Sequence, residues 1–211
     1  QADAGTGLWW CTATEKIGLM RPPPATAEPV TLEAAGNEEE ALQLVLHPET
    51  ALSDVSVTFT GPKDLPVQTL VRRVGYVDIT VPTDYSGCTG MWPDPLPPHT
   101  EKVTAPAGQN TPFWLSIRVR KNCPCGTYPF TATVACTDAN GTAMKLEIPV
   151  KVRIFGFSLP DAHSIKTAFG FSADLACAYH GISKMEQRRE LFDCYMQSFR
   201  EHRISPYSFA P

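Results

Sequence analysis

Twenty prolines among 211 residues constrain the fold of this chain more than any other feature. That is about twice the ordinary ~5%. Proline fixes φ and removes a backbone donor, so it is excluded from helix interiors and central strands. Between the prolines the apolar residues alternate. Leu42, Leu44 and Leu46 precede Pro48, and Val55, Val57 and Phe59 precede Gly61-Pro62. Phe113, Leu115, Ile117 and Val119 alternate with Trp114, Ser116, Arg118 and Arg120. Tyr128 to Cys136 and Met144 to Ile154 alternate in the same way, with Asp138-Ala139-Asn140-Gly141 between them. Period two predicts strands with one buried face, and an Asn-Gly turn between two such runs predicts a hairpin. Weaker runs at Leu8 to Ile17, Val30 to Ala35 and Val71 to Val81 bring the count to about eight strands. The fold class is therefore mainly β, with residues 1–160 an antiparallel two-sheet sandwich. Leu115, Ile117, Phe130, Val134, Leu146, Ile148 and Val150 are expected in its core.

After Ser158-Leu159-Pro160 the pattern changes. Ile165 to Ser172 is a short apolar run, and Ala173 to Ile182 reads as a loop. A helix is then predicted, with Ser183 as N-cap and Glu186 completing a capping box. Met185, Leu191, Phe192, Tyr195, Met196 and Phe199 recur along it at helical spacing. It must stop before Pro206, because Ser205 is disfavoured in helical geometry there. Tyr207-Ser208-Phe209 reads as a second buried strand. Residues 161–211 thus predict a parallel strand–helix–strand unit, the opening of an α/β barrel.

Charge and length exclude several partners. The net charge is -4, with 19% charged residues, so there is no concentrated positive field for nucleic acid or anionic membrane. No apolar run reaches the ~18–20 residues of a membrane-spanning helix. The chain begins at Gln1-Ala2-Asp3-Ala4, as expected after removal of a signal peptide or at an artificial boundary, and a secreted or periplasmic location is expected. The seven cysteines have no zinc-site spacing, and no metal or cofactor is expected. Cys123 and Cys125 flank one proline and are not expected to bond to each other. At least one should pair with Cys88 or Cys136 in an oxidising compartment.

The order of several short stretches resembles the N-terminal region of glycoside hydrolase family 123, the β-N-acetylgalactosaminidase-like enzymes. These are Gly36-Asn37-Glu38 with the run Ala41 to Leu46, Met91-Trp92-Pro93-Asp94-Pro95-Leu96, and Gln109 to Val119 with Phe113-Trp114-Leu115. Gly126-Thr127-Tyr128, Leu159-Pro160 and Tyr195 to Pro206 complete the set. The resemblance implies a sandwich preceding a (β/α)8 barrel, with carbohydrate bound through barrel elements this chain lacks. It also implies substrate-assisted catalysis by an adjacent Asp-Glu on a later barrel strand, with the sugar's acetamide oxygen as nucleophile. None of the ten aspartates here is followed by glutamate. No catalytic residue is carried over, and the chain alone is expected to be inactive.

Five residues are candidates for substrate contact. Asp174, Tyr179 and His180 lie in the segment that would follow the first barrel strand, where such barrels place their active sites. Trp92 and Asp94 lie in the Trp-Pro-Asp-Pro loop: the indole could stack on a sugar ring, and Asp94 could reach across to a barrel active site, the alternative being that Asp94 and its prolines fix a loop crossing between sheets. Trp9, Trp10 and Trp114 share the stacking chemistry, but Trp10 and Trp114 sit in strand patterns, where core or domain-interface packing is the commoner role. Asn140-Gly141-Thr142 is a glycosylation sequon at a hairpin tip. A second function class is an assembly module that pairs with neighbouring chains through edge strands, or self-associates through the tail.

Overall fold

The computed structural model describes residues 6–24, 29–162 and 164–207, and the chain divides into two compact units, Gln1–Leu159 and Pro160–Pro211. In the first unit the described strands are β1 (Trp9–Thr12), β2 (Thr31–Gly36), β3 (Glu39–Leu46), β4 (Leu52–Thr60), β5 (Val67–Arg73) and β6 (Tyr76–Ile79). They continue with β7 (Gly90–Pro93), β8 (Val103–Ala105), β9 (Thr111–Val119), β10 (Gly126–Thr137) and β11 (Ala143–Ser158). One sheet has the order β1-β3-β9-β5, a second the order β2-β11-β10-β4-β8, and β6 and β7 form a separate ribbon.

The alternation read from the sequence sets the register. Leu42 pairs with Leu115 and Leu44 with Phe113 across β3 and β9. Phe130 pairs with Val150 and Val134 with Leu146 across β10 and β11. The inner faces of both sheets meet in one core containing Leu42, Phe113, Leu115, Ile117, Phe130, Val134 and Val150. Lys145, Glu147 and Lys151 are exposed on the opposite face of β11. Leu146 and Ile148 point inward as expected, yet they are only half-buried.

Two features depart from the expected sandwich. It is not wholly antiparallel, because β2 pairs parallel to β11, with Leu32 opposite Val152. The run Val71 to Val81 is also not one strand. β5 ends at Arg73, where Gly75 N–H bonds to Pro95 O and Asp94 N–H to Gly75 O, and the chain turns into the ribbon. On its outer face the first sheet is roofed by the segment after β1. Gln43 Nε2 donates to Thr12 O and Glu15 O, and Trp9, Cys11, Ile17 and Val45 form a small second core there. Burial pushes the Cys11 thiol pKa up to about 12, with Glu15 adding to the rise and Arg21 opposing it.

None of the seven cysteines is in a disulfide, so the expected pairing of Cys123 or Cys125 with Cys88 or Cys136 is corrected. Cys125 precedes β10 and Cys136 lies near its far end. At ~3.3 Å per residue the two are ~35 Å apart, far beyond the ~7 Å that a bridge spans.

In the second unit, β12 (Phe169–Gly170) is followed by α1 (Ala173–Tyr179), α2 (Met185–Glu201) and β13 (Pro206–Tyr207). β12 and β13 pair in parallel, Phe169 opposite Pro206, with both helices in the connection. Ala173 to Ile182 is therefore largely helix rather than loop: Ser172 Oγ accepts from Leu175 N–H and caps it. The predicted capping box is displaced, since α2 begins after Lys184 with no side-chain cap. Tyr207 is exposed rather than buried, and Ser208 and Phe209 lie outside the described residues. Phe192, Tyr195 and Phe199 gather around Phe171, with ring centroids 5.0 to 5.9 Å from it.

Candidate functional site

The two lateral sides of the sandwich are closed differently. Where β8 stops pairing with β4, His99 takes over the edge. Its backbone N–H bonds to Val71 O of β5, and its ring reaches β4, where Val57 N–H donates to Nε2 at 3.1 Å. A backbone N–H can only donate, so the ring is neutral with its proton on Nδ1. Burial, with the Arg73 charge adding, holds its pKa below the ordinary value. The ring also meets Phe113 edge-on at 5.0 Å.

On the other side β2 pairs only with the stretch of β11 from Lys151 onward. The stretch Ala143 to Val150 faces an open lane, and beside it lies an apolar groove of about 750 Å3 lined by Leu8, Trp10, Leu44, Tyr128, Leu146 and Ile148 among others. This is why Leu146 and Ile148 are only half-buried. Lys151 N–H donates to Val30 O on the β2 side, so by alternation Lys145, Glu147 and Pro149 also turn their backbones toward the open lane. Pro149 thus costs β10 no hydrogen bond. Lys145 and Glu147, paired with each other at 2.7 Å, put charge along the edge. Proline and charge are the usual devices that keep an edge strand from pairing with another chain.

The ribbon presents the third feature. Tyr76 and Pro93 are opposite one another. The Tyr76 hydroxyl donates to Ile17 O at 2.9 Å, and burial raises its pKa to about 12. Val77 pairs with Trp92 on the other face, and Trp92 remains 39% exposed. Asp94 N–H bonds to Gly75 O, which keeps the chain extended past Pro93 and returns Asp94 to the face of Trp92. Lys16 Nζ donates to Pro93 O at 3.2 Å and stands 3.7 Å from the Asp94 carboxylate.

Trp92 and Asp94 therefore share one exposed face. Asp174, Tyr179 and His180 belong to the second unit. Asp174, in the first turn of α1, is ion-paired to Arg188 of α2. His180 is the C-cap of α1, and its Nε2 lies 3.2 Å from the Tyr195 hydroxyl. Both contacts fasten α1 to α2, while Tyr179 is exposed at 89%. Sequence reasoning missed Lys16, Arg188 and the open lane. Only the lane had a signal, a proline in mid-alternation. Among the described residues no group of three or more His, Cys, Asp or Glu could hold a metal, and no helix is long and apolar enough to cross a membrane.

No family model matches the chain, and no curated protein matches it. Among solved structures it is similar to a family 123 glycoside hydrolase from Clostridium perfringens, described for glycolipid glycan hydrolysis. The TM-score is 0.70 at 11% identity, over 95% of this chain and 37% of that one. The chain shares its fold with that part of the hydrolase. It spans little more than a third of the hydrolase's length. A non-cellulosomal cohesin from Archaeoglobus fulgidus (TM-score 0.34, 13% identity, 61% of this chain, 88% of that one) and the periplasmic chaperone SfaE (0.30, 10%, 67%, 63%) are more distant β-domain likenesses.

Proposed function

We propose that this chain is the non-catalytic N-terminal region of a secreted glycoside hydrolase acting on terminal β-N-acetylhexosaminides, N-acetylgalactosamine foremost. The observation that carries the reading is the fold agreement with the family 123 hydrolase over 95% of the chain. The parallel β12–β13 pair, joined through helices, fits the opening of an α/β barrel. In this reading the first unit buttresses the barrel, and the carboxylic acid that protonates the leaving oxygen comes from residues beyond these 211. No Asp-Glu pair is present in the sequence, so no catalytic role is assigned within it.

The test compares the native polypeptide with the 211-residue chain on an aryl β-N-acetylgalactosaminide. Hydrolysis is expected from a native polypeptide more than twice as long, and none from the 211 residues alone. A native polypeptide of only 211 residues would remove the barrel and defeat the reading. One observation would then favour the assembly module: Leu175, Tyr179, Met185 and Tyr207 of the second unit are all more than half exposed. Such a chain would self-associate, and removing residues 161–211 would leave it monomeric.

A further inference from the structure

We infer that Trp92, Asp94 and Lys16 form a sugar-binding subsite on the first unit. The inference rests on the carbohydrate reading for its ligand class and on the ribbon for its geometry.

Three observations converge on it. The first is placement. Trp92 is large and apolar, yet it is 39% exposed on a strand whose position is fixed from both ends of the turn. Tyr76 is anchored to Ile17 O on the buried face, and Asp94 and Gly75 are tied through Gly75 O and Pro95 O. An indole held open on a fixed strand offers a ready platform for the C–H face of a pyranose, with little conformational entropy left to lose.

The second is spacing. Trp92 and Asp94 are two residues apart on extended chain, ~7 Å between Cα atoms and on the same face. The carboxylate therefore stands at the margin of the platform, where hydroxyls of a stacked ring would lie. The third is hydrogen-bonding capacity. Asp94 has a side chain 71% exposed, and its contact with Lys16 is an ion pair at 3.7 Å, longer than a hydrogen bond. Lys16 spends one of its three donors on Pro93 O. The pair thus retains acceptor lone pairs and ammonium protons side by side, matched to two neighbouring hydroxyls, one donating and one accepting. Its charges balance, which suits a neutral polyhydroxylated ring rather than an anion or a cation.

The experiment titrates the 211-residue chain with methyl β-N-acetylgalactosaminide, following the indole N–H resonances by 1H–15N NMR. A saturable shift is expected at Trp92, with Trp114 unmoved. Trp92→Ala should weaken binding about tenfold or more, and Asp94→Asn, which preserves shape, several-fold. No saturable shift at Trp92, or Asp94→Asn binding as well as the parent, would overturn the subsite. The two readings fail separately. If the native polypeptide hydrolyses the aryl glycoside and Trp92 does not respond, the subsite falls and the enzyme stands. Should Trp92 respond in a protein that hydrolyses nothing, the subsite stands and the enzyme falls.

Discussion

The two units put the same sequence device to unequal use. In the first, alternating apolar residues from two sheets face one another, and Phe113, Leu115, Ile117 and Val134 are wholly buried. In the second, α2 carries an apolar stripe at helical spacing, yet it contains no buried residue. Among the described residues of that unit only Ala176 and Cys177 are buried. Apolar periodicity stabilises only where a second layer lies opposite it. At ~25 cal/mol per Å2 of buried apolar area, a half-covered ring around Phe171 contributes about half of what Phe113 does.

Cysteine reactivity is the sharpest way to break this contrast, because each unit holds a buried thiol. Cys177 in the second unit should be alkylated under native conditions at least ~100-fold faster than Cys136 in the first, through local opening that costs less there. The exposed Cys88, Cys125 and Cys194 should react first. Mass mapping after timed alkylation, with urea-unfolded protein as the reference, measures this. Equal protection of Cys177 and Cys136 would mean that the units are equally closed.

Next in size is Phe113→Ala, expected to destabilise the first unit by about 3–5 kcal/mol, whereas Leu146→Ala, at the half-open groove, should cost less than a fully buried leucine would. Urea denaturation followed by near-UV signal separates the two. A smaller effect, ~1 kcal/mol of local stability in α1, is expected for Ser172→Ala, which deletes the hydrogen bond to Leu175 N–H. Hydrogen exchange at α1 amides should report it without change in β10.

The smallest expected effect is a pH dependence of the first unit's stability. The folded-state pKa of His99 lies below its ordinary 6.5, so the unfolded chain binds the proton more tightly. Stability should fall as pH drops below about 6.5 and level off once pH passes the folded pKa. His99→Gln should flatten that part of the profile. An unchanged profile would remove His99 as the cause.

The sandwich was largely legible because strand alternation is a local signal, and the inward set Phe113, Leu115, Phe130, Val134 and Val150 follows from it directly. The β2–β11 pairing was not, since nothing within Thr31–Gly36 specifies a parallel neighbour so distant in sequence. α1 was misread because it is short and its cap, Ser172, sits at the end of an apolar run. Among the candidate residues, Trp92 and Asp94 were legible as a pair. Lys16, which completes their surface, is joined to them only by the fold. Asp174 and His180 looked chemically available as letters, and the structure gives each of them a partner on α2.

The parallel pairing also sets a schedule for the growing chain. Glu33 meets Arg153 across a sequence separation of 120 residues, and closing so long a loop is slow compared with hairpin formation. At ~5–20 residues per second of synthesis, β2 leaves the ribosome some ten seconds before the strand it needs exists. During that interval Leu32 and Ala34, both buried in the finished sheet, lack the strand that pairs with β2. The β10–β11 hairpin, with its Asn140-Gly141 turn, can form as soon as it emerges and then capture β2. The end of the first unit thus governs when its beginning becomes safe from aggregation.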